Sequence, residues 1–501
     1  MSHSDLSESI KGGKSGIEKE CLRVTGSTIS EKDFPSAFGS ALFNKCITTD
    51  FSEALFEFIT PPSTNNNLTQ QLLDNVHHFV YQNIEGDKLW PFSMPPDIKD
   101  DNQIRIAEYG KSNLALFKMI YRNGLSYRYG RKMQAIAGVH YNYSFPDRLW
   151  NHISEDVKQR DLKNIKSDLY FSCIRNIYRF NWLLLYLFGA SPLIAENFVE
   201  QGSLSYSLQR HKDFFFLPKA TSLRMSDLGY QNSSQSKIKV SLDSLDEYII
   251  DLLKATSKKN DDFSYISKIP SREPLQINGN YLQIEDEYYA PCRPKSNITD
   301  NSRLLAKLKK GGVDYIEIRS LDLDPFTRTG IDIETMEFLE AFTIYCAIKD
   351  SPHISLNERK EIESNNLIVA REGRDRKIEL QSNNKRIKLK DWANNIIDEM
   401  LEVMSILEIN EKKFRESIND PEQTPSAKYL DMIFESNTGF HEAGLNLADK
   451  TASFYQQLSP NENKNWKLLD KYSKESGDKK IRLERDETQT FPEYLERYFS
   501  L

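Results

Sequence analysis

Residues 136–145, IAGVHYNYSF, alternate between two kinds of side chain. Read as an extended strand, they put Ile136, Gly138, His140, Asn142 and Ser144 on one face and Ala137, Val139, Tyr141, Tyr143 and Phe145 on the other. The second face is apolar and needs a core. The first offers an imidazole, an amide and a hydroxyl beside a glycine, where a surface strand would carry Lys and Glu. It reads either as the lining of a cavity or as an exposed face that holds one histidine by chance.

Three further stretches weigh on that choice. In GIEKECLRV (16–24), strand spacing sets Glu18, Glu20 and Leu22 against Lys19, Cys21 and Arg23. Two carboxylates pointing the same way repel unless they are solvated or share a cation. DFSEALFEFITPP (50–62) embeds Asp50, Glu53 and Glu57 among Phe, Leu and Ile. Glu53 and Glu57 share a face at either strand or helix spacing; Asp50 joins Glu57 only at helical spacing or across a bulge. YIEIRSLD (315–322) sets Tyr315, Glu317, Arg319 and Leu321 against Ile316, Ile318 and Ser320. The Glu317/Arg319 pair alone could be a surface ion pair.

If these segments are neighbours in one antiparallel sheet, Glu18, Glu20, Asp50, Glu57 and Glu317 gather on one face with His140 and several arginines. So many carboxylates are tolerable together only when divalent cations neutralise them. An oxygen-rich set with one imidazole suits Mg²⁺ or Mn²⁺ better than zinc. Such metals bridge nucleotide phosphates while arginines stabilise charge on a transferring phosphoryl group.

The remaining elements must hold those strands. A chain of 501 residues can bury a large core as one sheet-based domain with attachments, or as two or three domains. With 39% hydrophobic and 28% charged residues it is ordinary for a globular protein, and a net charge of −7 argues against phosphate-neutralising nucleic-acid binding. The basic run Lys377–Lys390 reads as solvated surface. The N-terminus lacks the apolar core of a signal peptide, and the longest apolar run, 182–188, is too short to span a bilayer. Five scattered cysteines without a CxxC pair point to reduced thiols in a cytoplasmic protein. GGKSG (12–16) lacks the first glycine of a phosphate-binding loop, since Glu8 stands there, and no GxGxxG occurs.

Leu68, Leu72, Val76 and Val80 mark a helix over 68–84, with His77 and His78 expected on its surface. WPFSMPP (90–96) is a rigid turn and 97–115 a polar loop or short helix. A helical block is expected over roughly 154–188, with Tyr178, Trp182 and Tyr186 in the core. Residues 221–232, carrying Arg224 and Tyr230, read as an irregular polar loop outside the core. A helix is expected over 243–256. Residues 275–295 resume strand alternation, with Gln283, Glu285, Glu287 and Tyr289 on one face, before Arg293 and Lys295. Helices are expected over 333–348, 392–414 and 424–458; 353–391 is ambiguous, and 459–486 is strongly charged. The organisation expected is a catalytic, sheet-containing region over 1–332 and a mainly helical region over 333–501, packed on the same domain as scaffold.

At these residues the chain resembles glutamate–cysteine ligase (γ-glutamylcysteine synthetase) of the proteobacterial type. The stretches that carry the resemblance are GIEKECLRV, ITTDFSEALFEFITP, LWPFSMP, YGRKMQAIAGVHYNYSFP, YLFGASP, ATSLRMSDLGYQN, LQIEDEYYAPCRPK and GVDYIEIRSLDLDPF, in the family's order across residues 16–330. The C-terminal third matches weakly, and Cys21 stands where a residue such as Thr is expected. The resemblance implies an α+β, glutamine-synthetase-like fold: a curved, mainly antiparallel sheet forming an active-site funnel surrounded by helices. It implies ATP- and Mg²⁺- (or Mn²⁺-) dependent joining of the L-glutamate γ-carboxyl to the L-cysteine amine through a γ-glutamyl phosphate. This is the first step of glutathione synthesis. Carried over by position, Glu18, Glu20, Asp50, Glu57, His140 and Glu317 resemble the metal ligands, and Arg319 the phosphoryl-stabilising arginine; Glu57 and Arg319 are the residues on which turnover should depend most. Phe51, Tyr121, Arg224, Tyr230 and Tyr289 resemble the cysteine pocket, and Arg122, Gln134 and Asn142 are candidates for the glutamate moiety. Partners implied are L-glutamate, L-cysteine and ATP, with glutathione as feedback inhibitor, no nucleic acid and no membrane, on a monomer. The alternatives are a ligase joining glutamate to another amine on the same fold and a non-catalytic sensor that keeps it.

Overall fold

The computed structural model describes residues 9–156, 162–199, 208–229 and 235–500. Its centre is an antiparallel sheet whose strands are β1 (Lys14–Thr25), β2 (Thr28–Ile29), β3 (Ile47–Thr49), β4 (Leu55–Ile59), β5 (Asp87–Leu89), β6 (Val139–Ser144), β10 (Cys292–Lys295) and β11 (Tyr315–Leu321). Strands β7 (Leu193–Ala195), β8 (Gln209–His211) and β9 (Phe214–Phe216) form a separate small sheet. The order is β10-β11-β6-β1-β4-β3, with β2 and β5 pairing the far end of β1. The four stretches singled out above are thus adjacent: Glu18 pairs with His140, Glu20 with Glu57, and Glu317 with Asn142. Because facing partners project to the same side, these registers alone collect the acids and the imidazole on one face. The register shifts between Ile318 and Leu321 in a bulge.

The other face is the core. Ile17, Cys21, Phe56, Phe58, Val139, Tyr141, Tyr143, Ile316 and Ile318 are each at most 1% exposed. Helix α1 (Asn66–Tyr81) packs on β1, and α4 (Leu162–Phe188) packs behind β10 and β11; α7 (Ile333–Ile348) lies against β6 and α4. On the open side stands α2 (Asn113–Tyr129), started by the Ser112 cap. Short helix α3 (Asp147–Asp156) follows β6, and α5 (Leu245–Ser257) packs on α6 (Leu304–Gly311).

Several expectations need correction. The helical block starts earlier, as α3 directly after Pro146, and α4 begins at Leu162; residues 157–161 lie outside the described residues. His77 and His78 are buried, because the C-terminal helices α12 (Phe440–Gln457) and α13 (Trp466–Asp486) cover that side of α1 with Tyr455 and Trp466, whereas Leu68 is exposed. The described part of the 221–232 segment, 221–229, is no surface loop: Thr221, Ser222, Leu223 and Arg224 are buried, tied to Asp322 through Ser222 and the Arg224 guanidinium, while 230–232 lie outside the described residues. Residues 275–291 form no strand. Glu285 and Glu287 sit in a short 3₁₀ turn, drawn inward by Arg303 and Arg128, and the strand begins only at Cys292, after a single bridge between Asn280 and Lys259.

The ambiguous 353–391 region is helix α8 (Leu356–Glu372), capped by Ser355, then the exposed basic hairpin of β12 (Glu379–Ser382) and β13 (Lys385–Lys388). The helix expected over 392–414 divides into α9 (Leu389–Ile406) and α10 (Lys412–Asn419) around Glu408, at φ 60°. That over 424–458 divides into α11 (Pro425–Ser436) and α12 at Asn437, a left-handed cap. The last helix is α14 (Phe491–Phe499). No described helix is long and apolar enough to cross a membrane.

Candidate active site

His140 sits at the middle of the open face, 4% exposed. Its Nδ1 lies 3.5 Å from Glu18 Oε2 and 3.7 Å from Glu317 Oε1, and its Nε2 lies 3.8 Å from Glu20 Oε1. Glu18, His140 and Glu317 each offer one ligand atom within 4.8 Å of the others. Glu57 faces Glu20 across the β1–β4 ladder, and Asp50 enters from the turn between β3 and β4, so it reaches the site by neither helical spacing nor a bulged strand. Glu53 goes elsewhere: its carboxylate accepts from the Phe34 and Glu108 backbone N–H groups and anchors a loop.

The charges are arranged unevenly. Burial, reinforced by Glu18, Asp50 and Glu20, pushes the Glu57 carboxyl well above its ordinary range, and burial with Asp50 nearby raises Glu20. Burial would raise Glu317 too, but Arg319 (3.0 Å), Lys295 (3.1 Å) and His140 outweigh it and hold the group well below that range. One end of the face is therefore short of cations and the other well supplied. This donor set fits a divalent metal: oxygen-rich, one imidazole, with acids whose crowding favours protons unless a cation replaces them, and a Glu317 Oε1 that accepts no well-aligned hydrogen bond.

Two cavities meet at this face, and Glu18 lines both. The first, about 690 Å³, also takes in Glu20, Asp50, Glu57, His140, Glu317 and Arg319. Its walls include Phe51, Tyr121, Arg122, Gln134, Arg224 and Tyr289, so most of the expected pocket residues converge. Arg122 is pinned by the Asp50 carbonyl and lies over the Tyr109 ring. Arg224 bridges the site to the core, donating to the Arg319 carbonyl at 3.0 Å and pairing with Asp322 at 3.5 Å. Gly138 is required beneath it, because a Cβ there would lie 2.1 Å from Arg224 Nη2. Tyr230 lies outside the described residues.

The second cavity, about 540 Å³, holds Asn142, which donates to Glu18 Oε1 at 3.0 Å and so stands apart from Arg122 and Gln134. Around it are Lys14, Lys45, Lys166, Trp150, Tyr315 and Tyr472. Lys166 lies over Trp150 and Lys45 over Tyr472.

Sequence reasoning left some lining residues without a role. Lys118 lines the first cavity, its ammonium lowered to about 8 by burial and by Arg122; it sits one helical turn before Arg122, a spacing that could have flagged it. Arg293 pairs with Glu317 across β10–β11, as its place in the alternating stretch allowed. Lys479, Tyr494 and Tyr498, from α13 and α14, reach the same cavity with no local signal to announce them.

An open antiparallel sheet with acids, an imidazole and guanidinium groups on one face, and helices packed on the other, defines an α+β protein. The profile of the glutamate–cysteine ligases matches residues 1–369. The glutamate–cysteine ligase of Alcanivorax borkumensis is 37% identical over 99% of this chain and 97% of its own, and that of Pseudomonas putida 37% identical over 96% and 94%. The chain therefore belongs to the glutamate–cysteine ligase family. In structure it is similar to the Francisella tularensis glutamate–cysteine ligase in complex with AMP, with a TM-score of 0.90, 33% identity and 97% of each chain covered. A bifunctional glutathione synthetase from Pasteurella multocida, at 24% identity and a TM-score of 0.73, shares the fold over 90% of this chain and 54% of its own.

Proposed function

We propose that the chain joins the γ-carboxyl of L-glutamate to the amine of L-cysteine at the expense of ATP, releasing ADP and phosphate. The observation that carries this reading is the meeting of two cavities at Glu18 on one carboxylate-bearing face, so that a ligand in each can react there. The aromatic, lysine-bearing second cavity suits a nucleotide base with its phosphates directed at Glu18. The first suits the two amino acids. The Francisella relative's complex with AMP agrees with a nucleotide partner.

Glu18, Glu20, Asp50, Glu57, His140 and Glu317 are proposed to hold Mg²⁺ or Mn²⁺, which would screen phosphate charge. Arg319, kept ionised by Glu317, stands where it stabilises charge on the transferring phosphoryl group. The glutamate γ-carboxylate attacks the ATP γ-phosphorus and ADP leaves. The cysteine amine then attacks the acyl carbon of the γ-glutamyl phosphate, and the C–O bond breaks with its electrons leaving on phosphate. Arg122 and Gln134, which line the first cavity, are proposed to hold glutamate, and Asn142, which donates to Glu18, to orient that carboxylate. Phe51, Tyr121 and Tyr289 wall the thiol, with Arg224 for the cysteine carboxylate. No protein nucleophile is needed.

A cytoplasmic monomer is part of the proposal, and five buried free cysteines suit a reducing compartment. Glutathione carries both γ-glutamyl and cysteinyl groups and is expected to compete with glutamate. ADP release measured across a panel of amines tests the whole reading. It should require Mg²⁺, L-glutamate and L-cysteine together; equal turnover with bulky amines but none with cysteine would assign a different ligase.

A further inference from the structure

The acceptor in the proposed reaction is an α-amino acid, so it brings an ammonium as well as a carboxylate and a thiol. Phe51, Tyr121, Tyr289 and Arg224 provide for the last two and offer no anion. The sheet carboxylates stand at the phosphoryl-transfer face. Among the described carboxylates that line the first cavity, three others remain: Asp286, Glu287 and Asp300.

Two of these are already engaged. Glu287 is fully buried, accepting from Arg128 at 3.0 Å, from the Tyr129 hydroxyl and from the Gln283 backbone N–H. Asp300 accepts from Ser302 on the rim. Asp286 differs from both. Its other neighbour, Glu285, is fully buried in a pair with Arg303 at 2.7 Å, so the residues on either side lock the short turn into the protein. The Asp286 carbonyl is held by Arg293 at 3.0 Å. Yet its own side chain is exposed to the cavity, and no described residue donates a hydrogen bond to its carboxylate or pairs with it. A carboxylate on so firmly fixed a turn is preorganised for a cationic ligand. It stands three residues before Tyr289, and its charge reaches Tyr121, Lys118 and Tyr498.

Resting on the ligase reading above, we propose that Asp286 binds the ammonium group of the incoming amino acid beside the acyl phosphate; that group then releases one proton to solvent, and the freed amine lone pair attacks the acyl carbon as phosphate leaves. Asp286 is then the residue that makes an α-amino acid, and not any small thiol or neutral amine, the preferred acceptor.

The test compares wild type, Asp286→Asn and Asp286→Glu with ATP, Mg²⁺ and L-glutamate and two acceptors. L-cysteine arrives as an ammonium. Hydroxylamine is largely neutral at pH 7 and traps the acyl phosphate as a hydroxamate without needing an anionic anchor. Losing the ion pair should raise the KM for cysteine about tenfold in Asp286→Asn. Part of the loss should return in Asp286→Glu, while the KM for glutamate and the rate of hydroxamate formation stay within about twofold. An unchanged KM for cysteine, or equal losses with both acceptors, would overturn the proposal. Wild type that forms neither product would instead remove the ligase reading on which the proposal stands.

Discussion

The Arg319 guanidinium stands 3.0 Å from Glu317 and within the field of Glu20, and burial makes those charges costly to leave unbalanced. Replacing Arg319 by Ala is expected to lower kcat by about 10²–10³-fold, the loss typical of one preorganised charge-stabilising group. Lysine at 319 should restore little, because it lacks the planar fork. A Glu57→Gln variant should fall by a comparable factor, with unchanged circular dichroism in each case; near-wild-type kcat in both would mean the reacting centre lies elsewhere. Gly138 invites a finer test. Alanine there would push on the Arg224 guanidinium. The KM for cysteine should rise about tenfold while that for ATP holds, read from initial rates with each substrate varied in turn. At this scale the acids, the imidazole and Arg319 were legible from spacing. Asp286 was not, because EDE reads as three equivalent acids until Arg128 and Arg303 are seen to take the outer two.

Behind the sheet, Ser15 at the start of β1 donates to Asn66 of α1, and Asn66 donates to Glu340 of α7 at 3.2 Å, so one carboxyl ties three elements together. Burial lifts the Glu340 carboxyl to about 7. The folded state thus holds a proton that the unfolded chain, at the ordinary 4.5, has already released. Stability falls as pH rises from the unfolded value through the folded one. A Glu340→Gln variant keeps the acceptor oxygen and removes the ionisation, so it should match wild type near pH 5. It should exceed wild type by about 1–2 kcal/mol at pH 8 in chemical denaturation; parallel pH profiles would show that Glu340 does not titrate there. The strands β1, β6 and β11 were readable because alternation is a local property with period two. The 275–291 stretch copied that alternation and formed no strand. Its acids face buried arginines distant in sequence, and no window of neighbours contains them.

Across the whole chain, the family profile ends at residue 369, yet Lys479, Tyr494 and Tyr498 line the first cavity. Helix α14 packs Tyr494 against Phe117 of α2 and Ile284, beside the turn that carries Asp286. Ending the chain at Gln489 should cost about 3–6 kcal/mol in chemical denaturation, the worth of two or three large apolar side chains, and raise the KM for cysteine more than that for ATP. Unaltered kinetics in the shortened chain would make α14 a brace with no share in the site. The charged C-terminal third, read as scaffold from its composition, thus supplies part of a wall. From the order of residues alone came the strands with their two faces, the demand for cations implied by so many acids on one face, and the family likeness. All of these follow from periodicity and charge carried within short stretches. Only the tertiary structure decided that the cleft is divided at Glu18, that His77 and His78 are buried, that no described residue claims the Asp286 carboxylate, and that the last helices line the site. Each of these depends on which distant segment covers or neutralises a group, and packing settles that.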